Sequence, residues 1–150
     1  MNALELLKAD HAKVQELFRQ CQGTEGKGNQ PKQDLAEQIF TEIEIHSKIE
    51  EEIFYPAVRA KMDQETQDLV ADSLEEHQAV KQLIQELRRL KPQDEAYNVK
   101  FEELMESVEE HIGEEEDELF PDVAEQLRAE LDSLGRQLGE RKGQLMATSR

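Results

Sequence analysis

The chain has 150 residues, 37% of them hydrophobic and 35% charged, and 18 basic against 35 acidic side chains leave a net charge of 18 − 35 = −17. That charge repels nucleic acid and anionic membranes. The single cysteine, Cys21, excludes an internal disulfide and a thiolate-rich zinc or iron–sulfur site. No apolar run approaches the length of a membrane span, and the first ten residues do not read as a secretory signal. The expectation is therefore one compact domain in a reducing cytoplasm, with no nucleic-acid or membrane partner.

With only 7 Gly and 4 Pro among abundant Glu, Leu, Gln, Lys and Ala, the composition favours long amphipathic helices. Breaker residues mark loops at 23–31 (GTEGKGNQP) and 91–94 (KPQD), with a polar stretch at 62–65 in which Asp63 suits a helix cap. Four helices follow, at about 2–22, 32–61, 64–90 and 94–126. The first carries an apolar stripe of Leu4, Leu7, Val14, Leu17 and Phe18. The second carries Ile39, Ile43, Ile49, Ile53 and Phe54. Val70, Leu74, Val80, Ile84 and Leu87 line the third, and Phe101, Leu104, Val108, Ile112 and Leu119 the fourth. Short connections between long helices imply antiparallel neighbours, so the fold class is all-α: an up-down-up-down four-helix bundle over 1–126.

Pro56 and Pro121 are expected to kink or end their helices, because proline lacks an N–H and clashes with the preceding turn. Residues 127–150 form a C-terminal extension. Its Leu127, Leu131, Leu134 and Leu138 suggest a short amphipathic helix, weakened by Gly135 and Gly139 and frayed beyond residue 140. Packing back on the bundle and pairing in a homodimer through this leucine stripe both remain open.

The two halves of the bundle repeat one another. Asp10-His11 followed by Val14 parallels Glu76-His77 followed by Val80. His46-Ser-Lys-Ile-Glu50, running on to Phe54-Tyr55-Pro56, parallels His111-Ile-Gly-Glu-Glu115, running on to Leu119-Phe120-Pro121. The pattern reads as two helical hairpins related by an approximate two-fold axis, and all four histidines fall at equivalent positions. Each lies within its helix's apolar stripe and so points inward. Glu50 and Glu115, four residues after a histidine, are about 40° around the helix from it and also face inward; Glu51 and Glu116 are roughly 140° away and should be solvated.

A lone histidine on an apolar stripe is ordinarily a satisfied core residue, and a metal-free structural bundle is the bland reading. Four inward histidines coinciding with two inward glutamates weigh against it. Burying two ionised carboxylates without partners costs several kcal/mol each, and no Lys or Arg lies on the same stripes to pair with them. Metal cations held by His11, His46, Glu50, His77, His111 and Glu115 satisfy both requirements. Imidazole and carboxylate suit iron, manganese or zinc rather than magnesium or calcium, and six side chains exceed one tetrahedral zinc site. Two metals sharing Glu50 and Glu115 would each receive two imidazoles and two carboxylate oxygens. The Glu-x-x-His spacing of ferritin-like sites and the His-Glu-x-x-His of metalloproteases are both absent.

The ordered set His11, His46-x-x-x-Glu50, His77, His111-x-x-x-Glu115 resembles the hemerythrin-like (HHE cation-binding) family. So do Asp10-His11, the Glu-Glu-Ile-Phe-Tyr-Pro run ending at Pro56, Glu76-His77, and Leu119-Phe120-Pro121. The resemblance spans about residues 1–126. It implies a non-haem centre of two iron ions, bridged by oxide or hydroxide, in an antiparallel four-helix bundle. The dioxygen carriers of that family have a fifth histidine on the third helix, where this chain offers Ser73 and Lys81. They also have an aspartate five residues after the last histidine, where this chain has Glu115 at four. The reduced set is similar to that of mycobacterial hemerythrin-like proteins and of iron-sensing F-box proteins. It points away from oxygen carriage and toward handling or sensing of dioxygen, peroxide or nitric oxide, with catalase-like or peroxidase-like turnover left open. The alternative is an iron-responsive interaction module without catalysis.

Overall fold

The computed structural model describes residues 1–24 and 26–149. Helix α1 spans Ala3–Gln22 and α2 spans Asn29–Ile49. The latter passes without a break through a π-helical turn, Glu50–Phe54, into α3, Tyr55–Lys61. After α4, Gln64–Arg89, the design recurs: α5, Glu95–Glu114, runs through a second π turn, Glu115–Leu119, into α6, Phe120–Gln126. A single 3₁₀ turn, Arg128–Glu130, then leads to α7, Leu131–Thr148. The four long rods α1, α2–α3, α4 and α5–α6 form the antiparallel bundle. Helix α1 packs against α2 and α5, and α4 packs against α2, α3 and α5.

Local chemistry sets most of the boundaries. Asn2 and Glu5 form a reciprocal capping box, each side chain accepting from the other's backbone N–H at 2.9 Å. Asp63 caps α4 by accepting from Thr66 N–H at 3.0 Å. Helix α2 starts earlier than its sequence suggests, directly after Gly28 at φ +97°. Pro31 therefore lies in its first turn, where a missing N–H breaks no intrahelical bond.

Neither Pro56 nor Pro121 ends its rod. Each is the second residue of the α segment that follows a π turn, in which Tyr55 N–H bonds back to Glu50 C=O and Phe120 N–H to Glu115 C=O. The wider turn takes up one extra residue ahead of each proline, so the ring enters a fresh first turn and the helix continues.

The hydrophobic core is not continuous. One cluster, including Phe18, Ile39, Phe40, Ile84, Leu87 and Leu104, fills the end of the bundle at which α1 stops and α2 starts. Another, including Leu7, Ile49, Phe54, Val58, Phe120 and Val123, fills the opposite end. The histidines and inward glutamates lie on the helix turns between them, so a buried polar layer divides the core.

The C-terminal extension departs most from its sequence reading. Instead of a short helix with a frayed tail, α7 runs 18 residues to Thr148 and lies against α1, α2 and the first π turn. Leu127, Leu131, Leu134 and Leu138 are all buried in the second cluster, so the stripe completes the protein's own core rather than presenting a face to a second copy. Gly135 is what permits this contact. A Cβ there would meet the Met1 carbonyl oxygen at 2.4 Å and Ala3 N at 2.9 Å, so only a glycine lets α7 approach the start of α1. No described helix is long and apolar enough to cross a membrane.

The glycines of α7 therefore predict opposite effects. Gly135→Ala must push α7 off the α1 N-terminus and is expected to destabilise the fold by about 1–3 kcal/mol. Gly143→Ala has nothing within 4 Å of the new methyl group and should stabilise by about 0.4–1 kcal/mol through helix propensity. Denaturant unfolding of the two variants checks both signs.

Candidate metal centre

All six residues singled out by spacing meet in the polar layer. His11 comes from α1, His46 from the last turn of α2, His77 from α4 and His111 from the last turn of α5. Glu50 and Glu115 open the two π turns. Every one is buried, and the two glutamates are 0% exposed. Nε2 of His46 and of His77 each stand 3.2 Å from Glu50 Oε1. Nε2 of His11 and of His111 stand 3.2 and 3.4 Å from Glu115 Oε1. The Nε2 atoms of His77 and His111 are 3.2 Å apart.

The outward nitrogens explain this orientation. Each Nδ1–H donates to a carboxylate: His11 to Glu116 at 2.7 Å, His46 to Asp10 at 2.9 Å, His77 to Glu51 at 2.9 Å and His111 to Glu76 at 2.8 Å. A carboxylate on Nδ1 fixes the tautomer that leaves a lone pair on Nε2, facing inward, and raises its basicity. The links run between neighbouring helices. Asp10, beside His11, orients His46, and Glu76, beside His77, orients His111. Glu51, beside Glu50, orients His77, and Glu116, beside Glu115, orients His11.

This corrects the expected solvation of Glu51 and Glu116. They are partly exposed, at 36% and 33%, yet their carboxylates reach the imidazoles of the adjacent rods. Helical phase alone placed them outside because it assumed an α-helix; the π turn that begins at Glu50 and Glu115 alters the angle per residue there.

Four Nε2 lone pairs thus converge on two carboxylates, and acceptors face acceptors. His46 Nε2 and both oxygens of Glu50 are buried without any hydrogen-bond partner. The titration behaviour of the side chains expresses the same conflict. Burial disfavours a charge on His46, but the Glu50 carboxylate and the bond to Asp10 outweigh it and hold its pKa well above the ordinary value. Burial likewise opposes charge on His111, yet Glu115 and Glu76 push its pKa up to about 10. Glu50 lies well below the usual carboxylate range despite desolvation, because His46 and then His77 stabilise its charge. The layer holds six carboxylates, Asp10, Glu50, Glu51, Glu76, Glu115 and Glu116, around four imidazoles, with Lys142 from α7 paired to Asp10. Such a set requires compensating positive charge at its centre.

Metal cations fit that requirement. His11, His46, Glu50 and Glu115 can present one donor atom each within 4.8 Å of one another, and so can Glu50, His77 and His111. Glu50 belongs to both groups. The second group is one carboxylate short of the symmetric pair expected from sequence, and Glu115 Oε2 accepts from the Tyr55 hydroxyl at 2.6 Å. That hydroxyl also lies 3.3 Å from His77 Nε2.

Tyr55 is the site residue that spacing missed. Its equivalent in the other half is Phe120, which stacks on His11 with ring centroids 5.8 Å apart. Burial, and then the charges of Glu50 and Glu115, raise the phenol's pKa well above its normal value. The aligned repeats carried the signal, Tyr55-Pro56 against Phe120-Pro121: a polar atom present in one copy alone.

On the far side of the imidazoles lies a cavity of about 30 Å³, walled by Val14, Ile43, Val80, Val108 and Ile112 as well as the histidines. It has room for about one water-sized molecule.

The sequence pattern described as the hemerythrin HHE cation binding domain matches residues 2–123. Among curated proteins, a DNA nickase from Nostoc sp. is 29% identical over 133 residues, covering 87% of this chain and 36% of its own length. A hemerythrin-like protein of Schizosaccharomyces pombe is 30% identical over 93 residues, covering 62% of this chain and 46% of its own. The chain thus spans less than half the length of either relative. A crystal structure of a hemerythrin HHE cation binding domain-containing protein from Mycobacterium kansasii superposes with a TM-score of 0.85 at 27% identity. That match covers 99% of this chain and 89% of the other.

The outer carboxylates yield a prediction separate from that for the inner set. Asp10→Asn and Glu116→Gln each keep the shape of the side chain and remove the charge that holds an imidazole. Metal affinity, measured by competition with a chelator, should fall about 10–100-fold in each, with helical content by circular dichroism unchanged.

Proposed function

This chain belongs to the hemerythrin HHE cation-binding domain family, and from that premise we propose that it is a non-haem di-iron protein that handles or senses dioxygen, peroxide or nitric oxide. One observation carries the reading: four imidazole Nε2 atoms, each turned inward by a carboxylate on Nδ1, converge on two fully buried glutamates, and neither oxygen of Glu50 has a hydrogen-bond partner. His11 and His46 would hold one ion, His77 and His111 the other, with Glu50 between them and Glu115 completing the first set. Iron bound there would supply reversible electron transfer and open positions for small oxygen or nitrogen ligands.

The protein's own contribution is to position and to exclude. The outer carboxylates keep the imidazoles in one tautomer. Tyr55 stands beside His77, and its hydroxyl is the proton donor there, donating to Glu115. The aliphatic walls of the small cavity keep bulk water from the imidazoles and limit what enters to small molecules. The nickase activity named for the Nostoc relative stays with that protein, of which the chain covers 36%; a net charge of −17 disfavours contact with a nucleic-acid backbone.

A second reading, an iron-responsive interaction module, is favoured by one feature. Helix α7 is pinned to the layer through Lys142 on Asp10, and beside it through Arg141 on Glu52, so metal loading and docking of α7 both act on Asp10. The two readings are compatible.

Protein produced with iron available should contain about two iron ions per chain by elemental analysis, and loading should raise the melting temperature, because a ligand that binds only the folded state stabilises it. Glu50→Ala and His111→Ala should lose metal. Iron-replete protein that purifies without metal overturns the proposal. For the second reading, hydrogen exchange in α7 should slow on iron loading; equal exchange with and without iron removes its mechanism.

A further inference from the structure

Between α2 and α4 runs a cleft of about 390 Å³ that reaches inward to His77. Ile43, Ser47, His77 and Val80 line both this cleft and the small cavity beside the imidazoles, so only a shared wall of side chains divides surface from site. The charges around the cleft are unequal in a way that the overall composition hides. Its three carboxylates are all engaged: Glu44 with Arg88 at 2.7 Å, Glu51 with His77 at 2.9 Å and Glu52 with Arg141 at 2.8 Å. Its two cations, Lys48 and Lys81, are exposed and take part in no ion pair among the described residues, unlike Lys13, Lys61, Lys100 and Lys142.

A chain of net charge −17 thus presents two unpaired ammonium groups at a passage toward its buried histidines. The screening length at physiological salt is about 8 Å. An approaching ion therefore responds to the charges at the mouth more than to the distant acidic surface. We propose that this cleft is the port through which a small monovalent anion, of the size of superoxide or nitrite, reaches the histidine layer, with Lys48 and Lys81 as the residues that select for negative charge. The identity of what the anion meets there rests on the di-iron reading; the port itself can be tested without metal.

Ser47 offers the probe, since it is half-buried on the wall common to cleft and cavity. In a Cys21→Ser background, Ser47→Cys places one thiol in the port of the full-length chain. Its rates with a dianionic aromatic disulfide (dithionitrobenzoate) and with a neutral one (4,4′-dithiodipyridine) are compared as a ratio, which cancels any change in thiol pKa. Adding Lys48→Glu and Lys81→Glu should lower the anionic-to-neutral ratio about tenfold at low ionic strength, and the loss should shrink near 0.5 M salt. The control, Lys27→Glu with Lys91→Glu, makes the same charge change at the other end of the bundle and should move the ratio less than about twofold. If both pairs shift the ratio equally, or neither does, the port is overturned.

In iron-loaded protein, azide association should slow by a similar factor in the Lys48→Glu, Lys81→Glu variant while nitric oxide association is unchanged. Equal slowing of both ligands overturns charge selection. Failure to take up iron counts against the di-iron reading alone, because the thiol ratio still decides the port.

Discussion

The structure turns on two carboxylates that have been taken completely out of water. Glu50 and Glu115 are 0% exposed in the middle of the bundle, and the imidazoles around them turn Nε2 lone pairs toward them, with the Tyr55 hydroxyl giving one proton to Glu115. An uncompensated arrangement of that kind costs several kcal/mol per ion, a large share of the stability of a domain of this size. Positive charge can arrive as protons on the imidazoles or as metal cations. Protons satisfy the electrostatics but not the geometry, because four imidazoliums would crowd like charges together, with His77 and His111 only 3.2 Å apart at their Nε2 atoms. Metal cations satisfy both, and the polar layer has His and Glu groups able to hold them.

The polar layer reaches outward through shared residues. Each histidine is held by a carboxylate from a neighbouring rod, so the four helices cannot shift relative to one another without breaking a buried or half-buried charge-assisted bond. Helix α7 joins the same network from outside: Lys142 pairs with the Asp10 carboxylate that orients His46. Asp10 itself lies below its ordinary pKa despite the opposing effect of burial, because His46 and Lys142 both stabilise its charge. What reads in sequence as an appendage is therefore attached at the layer as well as at the apolar face. The two apolar clusters pack each end tightly, while the layer between them sets the register of the rods.

The bundle and the six inner residues were legible because they obey the simplest rule available, helical phase. A histidine within an apolar stripe faces inward, a glutamate four residues on does the same, and the 65-residue repeat shows that both copies follow the pattern. The outer residues were not legible for an equally physical reason. Glu51 and Glu116 fall on the wet side of an α-helix and reach the imidazoles only because a π turn begins just before them. Asp10 and Glu76 bond to histidines on other helices, a relation that no spacing within one helix reveals. The docking of α7 was obscured by a propensity argument: glycine weakens a helix, but at Gly135 the absence of a Cβ is what brings α7 against Met1 and Ala3. Local preference and tertiary contact gave opposite signs, and contact decided.

The departure from two-fold symmetry gives the site a direction. On one side, His77 meets the Tyr55 hydroxyl, which is committed to Glu115. At the equivalent place, His11 meets the bare ring of Phe120, which offers packing and no proton. Two positions that the repeat makes alike thus differ in the one property that matters to an oxygen ligand, a hydrogen-bond donor held out of water. The apolar cavity touches all four histidines, but the lysine-rimmed cleft reaches His77 alone among them. Entry, the phenol and the three-residue group Glu50, His77 and His111 therefore coincide on one half of the layer, whereas the four-residue group that includes His11 is walled by Phe120. A pair of ions held this way would be unequal, one enclosed by its ligands and the other facing whatever enters. A buried centre that must react with a ligand while holding its metals gains from that division, because the ligands that bind tightest need not be the ones that open.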